Sequence, residues 1–140
     1  MFMWHAEHTL DSSADPGAVW RCLAEVATWP DWEEGVTWAE LTGPFRPGSL
    51  GRMKIRGEGT RQFILAKVVD QATFTAQRRL PFAVVRHTHS QEASELGTKM
   101  THRIEISGLL SWLYGMTQGR TLRNGLAPSL RRLARMAAEK

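Results

Sequence analysis

The sequence lacks features that mark several common classes of protein. It has a single cysteine, Cys22, so no disulfide can form within the chain, which indicates a reducing compartment. No apolar run approaches the ~18 residues that a membrane-spanning helix needs. The amino-terminal segment also lacks the basic flank and apolar stretch of a secretory signal. We therefore expect a cytoplasmic protein, and its 140 residues predict one domain over 1–140.

Motifs of well-known catalytic and binding classes are missing too. No nucleophile elbow of a serine hydrolase is present. The glycine-containing stretches GSLG and GEG lie between predicted strands, not ahead of a helix where they would bind phosphate. The formal charge of +4 includes Arg78 and Arg79, and no nucleic-acid-binding motif accompanies it. We interpret this charge as a solvated basic face and do not expect nucleic-acid binding.

Tryptophan, in contrast, is concentrated in one segment. Three of the six tryptophans fall in TWPDWEEGVTW, residues 28–38. Pro30 and Gly35 in the same segment favour turns, so these tryptophans either plug one end of the fold or line a binding site. Glu33 and Glu34 are interpreted as surface charges, because adjacent side chains point apart.

Hydrophobic periodicity predicts a strand, a helix, a short turn, six further strands and a long closing helix. The first strand is FMWHAEHTL, residues 2–10, with Phe2 on its apolar face. In the helix that follows, Asp15 is the predicted N-cap and Pro16 the first helical residue. The apolar stripe of this helix consists of Val19, Trp20, Leu23 and Val26.

The first hairpin of the predicted sheet lies around the sequence IRGEGT. A turn at residues 58–59 would place Ile55 opposite Gln62. In the same register Met53 faces Ile64, so the side chain of Ile64 would point inward.

The last predicted hairpin turns near SELG, so the numbers of opposing residues sum to about 191. This sum pairs His89 with His102 on the apolar face. The same register pairs His87 with Ile104, Gln91 with Met100, and Val85 with Ile106. Three histidines are therefore expected on the buried face of this hairpin.

The paired imidazoles of His89 and His102 are the candidate catalytic groups. Imidazole titrates near neutrality, so the pair could relay a proton or orient a ligand carbonyl or hydroxyl. The alternative is a half-buried pair satisfied by water, by Gln91 or by each other. Three histidines could also bind zinc, but two on one strand and one across from it form a loose geometry. We expect neither a metal nor a cofactor.

The chain ends in a segment of helical character from Leu109 to Ala138. Its apolar stripe consists of Leu126, Leu130, Leu133 and Ala137. Glycines at positions 115, 119 and 125 are unfavourable in a helix and indicate a bulky neighbour, either sheet backbone or a ligand. Pro128 predicts a kink or a restart of the helix.

This order of elements predicts an α+β fold. A curved, seven-stranded antiparallel sheet would wrap around the long C-terminal helix, with two short helices after the first strand. Such an arrangement encloses more volume than the side chains of a small protein easily fill. A cavity between sheet and helix is therefore expected.

Four stretches, ADPGAVWRCLAEVATWPDW, GSLGRMKIRGEG, LGTKMTHRIEISG and NGLAPSLRRL, resemble the SRPBCC (START-like) superfamily, and within it the polyketide cyclase/dehydratase and lipid-transport group. The resemblance covers essentially the whole chain. It implies a helix-grip fold with a deep hydrophobic cavity, and members that bind lipids, polyketides or plant hormones or catalyse cyclisation or dehydration. It also implies that Trp32 and Trp38 line the cavity entrance, whereas we expect Trp29 to anchor the turn against the core.

The expected function is binding of a small hydrophobic molecule, with polyketide cyclase/dehydratase-like chemistry as its enzymatic form. The expected ligand-contacting residues are Trp32, Trp38, Met53, Ile55, Ile64, His87, Gln91, Met100, Ile104, Leu113 and Met116. For the apolar members of this set, ordinary core packing is the alternative. A non-catalytic carrier or sensor of lipid or quinone-like ligands stays open. So do a homodimer and a module whose basic helix face, with Arg131, Arg132 and Arg135, docks an acidic protein or nucleic acid.

Overall fold

The computed structural model describes residues 3–139, so Phe2 lies outside the described residues. These residues form seven strands and three α-helices, and a 3-10 turn, Val26–Thr28, joins the first two helices. The strands are β1 (Met3–Ser12), β2 (Val36–Thr42), β3 (Leu50–Ile55), β4 (Gly59–Val69), β5 (Thr73–Leu80), β6 (Ala83–Ala93) and β7 (Thr98–Ser107). The helices are α1 (Pro16–Ala24), α2 (Trp29–Trp32) and α3 (Ser111–Ala138).

All seven strands join one antiparallel sheet in the order β1-β7-β6-β5-β4-β3-β2. From β2 to β7 each strand pairs with the next one along the chain, which is the connectivity of a meander. The first strand closes the far edge by pairing with β7. Helix α3 packs against β1 and β7 and also contacts α1 and α2. The helix-grip arrangement expected from the sequence is confirmed.

Helix α1 begins where the sequence predicts. The carboxylate of Asp15 accepts hydrogen bonds from the backbone N–H groups of Gly17 at 3.0 Å and Ala18 at 3.2 Å. Pro16 occupies the first turn, where its missing N–H costs nothing. The predicted stripe of Val19, Trp20, Leu23 and Val26 is buried. The cap therefore fixes the direction in which this stripe enters the core.

Trp29 anchors the connection between α1 and β2. Its indole stacks on Phe74 with ring centroids 5.7 Å apart, and its centroid lies 5.2 Å from that of Phe63. The indole Nε1 donates to the carbonyl of Leu23 at 2.9 Å. Burying such rings stabilises the fold by roughly 1.5–3 kcal/mol each. This end of the interior is filled by aromatic side chains.

The predicted register of the β3–β4 hairpin is wrong by three residues. Ile55 pairs with Gly59, not with Gln62. The turn lies at residues 56–58, where Glu58 N–H donates to the Ile55 carbonyl at 3.0 Å. Gly57 takes the left-handed conformation that this turn requires, with φ of 85°.

An odd shift in register moves every side chain of a strand to the opposite face of the sheet. Met53 therefore faces Arg61, and Ile64 faces Leu50. Phe63 and Leu65 are the buried residues of β4. Ile64 lies on the outer face, where it lines a shallow groove with Leu50 and Gln77. The expectation that Ile64 points into the interior is contradicted.

The β6–β7 hairpin has the predicted register. His89 pairs with His102, His87 with Ile104, Gln91 with Met100 and Val85 with Ile106. The histidines lie on the concave face, beneath α3. This register sets the positions of the imidazoles in the site described below.

Helix α3 runs without a break from Ser111 to Ala138 and includes Pro128. The predicted stripe of Leu126, Leu130, Leu133 and Ala137 is buried. The bulky neighbour of its first half is Trp4 on β1, because a Cβ at either Gly115 or Gly119 would lie 2.8 Å from the Trp4 ring. Among the described residues, no helix has the length and apolar character needed to cross a membrane.

The turn between β5 and β6 holds a strained residue. Phe82 has φ of 58°, a left-handed conformation that costs a residue other than glycine roughly 1–2 kcal/mol. Its ring is 71% exposed, so packing against the core does not offset this cost.

Candidate functional site

Three histidines form a row on the concave face of the sheet. His89 and His102 are buried, and their ring centroids lie 3.8 Å apart with the planes inclined by 30°. His87, half-buried on the same strand as His89, has its centroid 5.4 Å from that of His102. The pairing of strands β6 and β7 thus places three imidazoles in contact.

Glu33 completes this cluster, and the sequence-based interpretation of it as a surface charge is wrong. Its Oε2 lies 3.2 Å from His89 Nε2 and 3.9 Å from His102 Nε2. The hydroxyl of Ser129 on α3 donates to Oε1 at 3.1 Å. The adjacent side chains of Glu33 and Glu34 do point apart, as expected. As a result only Glu34 faces the surface, whereas Glu33 points inward.

Glu34 lies where α3 meets the β2–β3 end of the sheet. Its carboxylate pairs with Arg132, and its other oxygen is 3.8 Å from Arg56. Its backbone N–H donates to Ser129 Oγ at 2.8 Å, so one serine holds both glutamates in place. Arg132, a member of the predicted basic docking face, is engaged within the fold.

Arg78 is a buried cation that sequence reasoning assigned to the solvated basic face. It is 3% exposed because it points inward from β5. Its guanidinium donates to both carboxylate oxygens of Glu58, at 3.3 and 3.0 Å. A third nitrogen lies 2.7 Å from His87 Nε2. The alternation of β5 would have revealed this inward direction, since Phe74, Ala76 and Leu80 share it.

These contacts fix the proton positions on the histidines. A guanidinium only donates, so His87 Nε2 must accept and its proton is on Nδ1. That Nδ1–H donates to His102 Nε2, 3.2 Å away, which leaves the His102 proton on Nδ1. His89 Nε2 faces the Glu33 carboxylate, so its proton is on Nε2 and its Nδ1 carries a lone pair. The two stacked rings therefore present one Nδ1 donor and one Nδ1 acceptor.

All three histidines are neutral near pH 7. Burial lowers the pKa of His89 to about 3. Burial also lowers the pKa of His102 to about 3, with a further contribution from His89, and Glu33 partly opposes this shift. The pKa of His87 lies well below its ordinary value, because of burial first and then the charge of Arg78 and the neighbouring imidazoles. Neutral imidazoles keep their lone pairs available.

A cavity of about 270 Å³ opens beside this cluster, between α3 and the sheet. His87, His102 and Ile104 form its floor, and Glu58 of the β3–β4 turn lies at its rim. The lining from α3 consists of Thr117, Gln118, Thr121, Leu122, Gly125 and Leu126. A smaller space of about 50 Å³ extends towards Trp29 and Phe74 and shares Ile55, His87 and Leu122 with the first.

Most of the predicted site residues border these two spaces. They are Trp32, Met53, Ile55, His87, His89, His102 and Ile104. Trp32 is buried, with its ring edge-on to His89 at a centroid distance of 5.2 Å. Gln91 and Met100 are buried further along the hairpin, where Gln91 donates to the carbonyl of Pro16 at 2.9 Å.

Three predicted ligand contacts besides Ile64 lie elsewhere. Trp38 is 42% exposed and packs under the guanidinium of Arg52, 5.9 Å from its ring centroid. Leu113 and Met116 are exposed on α3, because Gly115 and Gly119 occupy the face that meets Trp4. None of these three borders either of the two spaces described.

Several buried polar atoms near the cluster have no hydrogen-bond partner among the described residues. They are Trp32 Nε1, His89 Nδ1 and His102 Nδ1. Buried polar groups are normally paired, so these atoms have hydrogen-bonding capacity that the described residues leave unused. They provide two donors and one acceptor within one small region.

The same cluster contains a group of atoms that could hold a metal ion. Glu33, His89 and His102 each offer a ligand atom within 4.8 Å of the others. However, the two rings stack with planes only 30° apart, so their in-plane lone pairs converge poorly on one point. Ligating histidines also donate their second N–H to a partner, and neither Nδ1 has one among the described residues. This geometry is unfavourable for metal ligation.

Comparisons with solved structures show proteins of the same fold. The di-domain ARO/CYC protein StfQ from the steffimycin biosynthetic pathway has a TM-score of 0.78 at 14% identity, covering 98% of this chain and 51% of that one. This chain thus spans about half of that protein. A protein from Nitrosomonas europaea has a TM-score of 0.77 at 13% identity, covering 96% of this chain and 94% of that one.

A third solved structure is truncated norcoclaurine synthase from Thalictrum flavum. Its TM-score is 0.76 at 12% identity, covering 99% of this chain and 96% of that one. No curated protein matches the sequence. The model of the family described as polyketide cyclase / dehydrase and lipid transport matches residues 3–138, and the chain therefore belongs to that family.

Proposed function

We propose that the protein binds a small, mostly apolar molecule in the cavity between α3 and the sheet, and that Glu33, His89 and His102 act on it in cyclase/dehydratase-like proton transfer. The observation that carries this proposal is a carboxylate-supported pair of neutral, buried imidazoles beside a partly apolar cavity. The family and its ARO/CYC structural neighbour support the same class of ligand.

The dimensions of the cavity favour a compact ligand. Its volume of about 270 Å³ lies near the lower end of the range for small-molecule sites, roughly 300–1,000 Å³. Apolar walls from Ile55, Ile104 and Leu122 would hold the body of such a molecule. Its oxygen functions would meet the polar atoms that have no partner within the described residues.

The opposite tautomers of the two stacked rings give them opposite roles. The Nδ1 lone pair of His89 can take a proton from a carbon next to a ligand carbonyl, and its Nε2–H already faces Glu33. The imidazolium of His89 can then return this proton to the departing hydroxyl, which leaves as water while the C–O bond breaks and a C=C bond forms, and the Nδ1–H of His102 donates a hydrogen bond to the oxygen. The Glu33 carboxylate stabilises the imidazolium that forms when His89 accepts the proton.

Binding can be tested with Nile red, a neutral apolar dye, and with native mass spectrometry of the purified protein for a co-purified apolar molecule. Leu122→Trp should fill the cavity and weaken dye binding about tenfold or more, because Leu122 borders both spaces. Leu113→Trp is the matched control, since Leu113 is exposed on the same helix. Equal dye affinity in both variants and the parent would contradict the proposed cavity.

Variants of the polar cluster distinguish an enzyme from a protein that only carries its ligand. Glu33→Gln and His89→Gln should abolish turnover of a bound ligand and leave dye affinity within about threefold, because they remove the carboxylate or the imidazole and change side-chain volume little. If both variants convert a co-purified ligand as fast as the parent does, the assignment of the cluster is wrong, and if the parent itself converts none, the protein is a carrier.

A further inference from the structure

Large apolar side chains are exposed at one end of the molecule, where the β5–β6 turn meets the beginning of α3. We name this surface the apolar tip. It consists of Met3, Phe82, Leu109, Trp112, Leu113 and Met116. Phe82 and Met116 are 71% and 77% exposed. Isolated apolar residues on a surface need no explanation, but a group at one end of a fold does.

Backbone contacts bring the three segments of the apolar tip together. The N–H of Leu110 donates to the Phe82 carbonyl at 3.0 Å, and the Tyr114 hydroxyl donates to the Pro81 carbonyl at 3.1 Å. Met3 pairs with Ser107 at the end of β7, directly before α3 begins. The apolar tip is therefore one contiguous surface.

The helical part of the apolar tip has the spacing of a single face. Trp112 and Met116 are one helical turn apart with Leu113 beside them, and Leu109 lies in the turn directly before α3. Here the core-facing positions belong to Gly115 and Gly119, which accommodate Trp4. The first turns of α3 thus present a hydrophobic stripe to the outside.

Phe82 is held outward at a cost to the fold. Its position in the turn favours glycine or asparagine, because φ is positive there. A phenylalanine in this position therefore stabilises neither the turn, which its conformation disfavours, nor the core, since it is exposed. Strain of this kind is characteristic of residues that act on something outside the fold.

The charge around the apolar tip selects the occupant. Helix α3 contains five arginines and no acidic residue. Arg120 is exposed one turn beyond Met116, and Arg79 is exposed beside the β5–β6 turn. On β7, Glu105 is already paired with Arg103 at 3.1 Å. A second copy docked on this surface would bring arginines against arginines.

We propose that the apolar tip docks on an anionic lipid surface. Apolar side chains that include Trp and Phe would enter the headgroup region, and Arg79 and Arg120 beside the apolar tip would pair with lipid phosphates. Docking in this orientation brings the cavity close to the lipid, since Thr117 and Gln118 on the next turn of α3 line it. Exchange of a ligand with the membrane rests on the proposed function, but docking itself does not.

The test is flotation of the full chain with vesicles, without any added ligand. One set contains phosphatidylcholine and phosphatidylglycerol in roughly a two-to-one ratio, and the other contains phosphatidylcholine alone. We expect binding to the anionic vesicles, weaker by about tenfold on neutral ones and reduced by added salt. Trp112→Ser and Phe82→Asn should each reduce binding by about fivefold to tenfold.

Phe82→Asn gives a readout that a folding defect cannot imitate, because it should raise thermal stability while weakening membrane binding. Leu96→Ser is the matched control, since Leu96 is exposed to 57% in the β6–β7 connection and should not change flotation. Absence of flotation with anionic vesicles, or equal losses in Leu96→Ser and Trp112→Ser, would overturn the proposal. So would a dimer in solution that Trp112→Ser dissociates, since a second copy would then be the occupant.

Discussion

The two halves of α3 face the same sheet and are packed in opposite ways. The C-terminal half inserts Leu126, Leu130 and Leu133 into the interior, against α1, α2 and the aromatic core. The N-terminal half offers glycines to Trp4 and turns its large apolar residues outward. One half is a structural element of the core, and the other leaves its apolar surface free for contacts outside the fold.

The cavity lies where these two halves meet. Thr121, Leu122 and Gly125, in the middle of α3, form part of its wall, and the histidine row lies beneath them. Space remains at the junction because leucines fill the interior on one side of it, whereas glycines, which have no side chain, lie on the other. The difference in packing between the two halves of α3 therefore locates the candidate site.

Removing a leucine from the packed half of α3 should have the largest effect on stability. Leu130→Ala should lower the free energy of unfolding by about 2–5 kcal/mol, because Leu130 is 1% exposed and a cavity would remain. Met116→Ala, its counterpart in the outward-facing half, should change it by less than about 0.5 kcal/mol. Urea unfolding of both variants measures the two values, and similar losses would contradict the difference between the halves.

Lowering the pH tests the junction itself. The pKa values of His89 and His102 are about 3 in the folded protein, whereas the unfolded chain has the ordinary value of 6.5. Below pH 6.5 the unfolded state binds more protons, so stability is complete above this pH and falls as the pH drops towards 3. The pair should cost roughly 2–3 kcal/mol between about pH 7 and about pH 5.5.

Unfolding measured in urea at several pH values gives this slope. His102→Gln should make it shallower by about a third, since His87 and His89 still contribute, whereas His8→Gln, at an exposed position on β1, should leave it unchanged. A slope that His102→Gln does not alter would mean that other groups control the acid sensitivity.

A smaller effect is expected from the glycine half of α3. In Gly119→Ala the new Cβ would lie 2.8 Å from Trp4 Nε1, so the indole must move. The gain in helix propensity, about 1 kcal/mol, offsets part of this clash, and a net loss of about 1–2 kcal/mol is expected. Gly97→Ala cannot serve as a control for this variant, because its Cβ would clash with the backbone of residues 12–14. A gain in melting temperature would show that Trp4 does not hold this half of the helix.

The elements that the sequence predicted well carry local signals. The cap of α1 at Asp15, the stripe from Leu126 to Ala137 and the register of the β6–β7 hairpin all follow from spacing within one or two elements. The pairing of His89 with His102 could be predicted from the sequence for the same reason. Once a turn is located, every pair along the hairpin follows from it.

The site residues that were missed depend on contacts between elements far apart in the sequence. Glu33 meets His89 and His102 only because the short α2 crosses the end of the concave face. Arg78 is the exception, because the alternation of β5 points it inward and the adjacent, exposed Arg79 led to both being assigned to one basic face. In the β3–β4 hairpin, two glycines close together allowed two turns, and the wrong choice placed Ile64 on the inner face.

The ion pair between Glu58 and Arg78 ties the rim of the cavity to its floor. Glu58 belongs to the β3–β4 turn, while Arg78 holds His87 by its Nε2. Swinging this turn away would leave a guanidinium buried without its carboxylate, which is a costly state. The Glu58–Arg78 pair therefore keeps the turn against the His87 end of the cavity and keeps a donor on His87 Nε2.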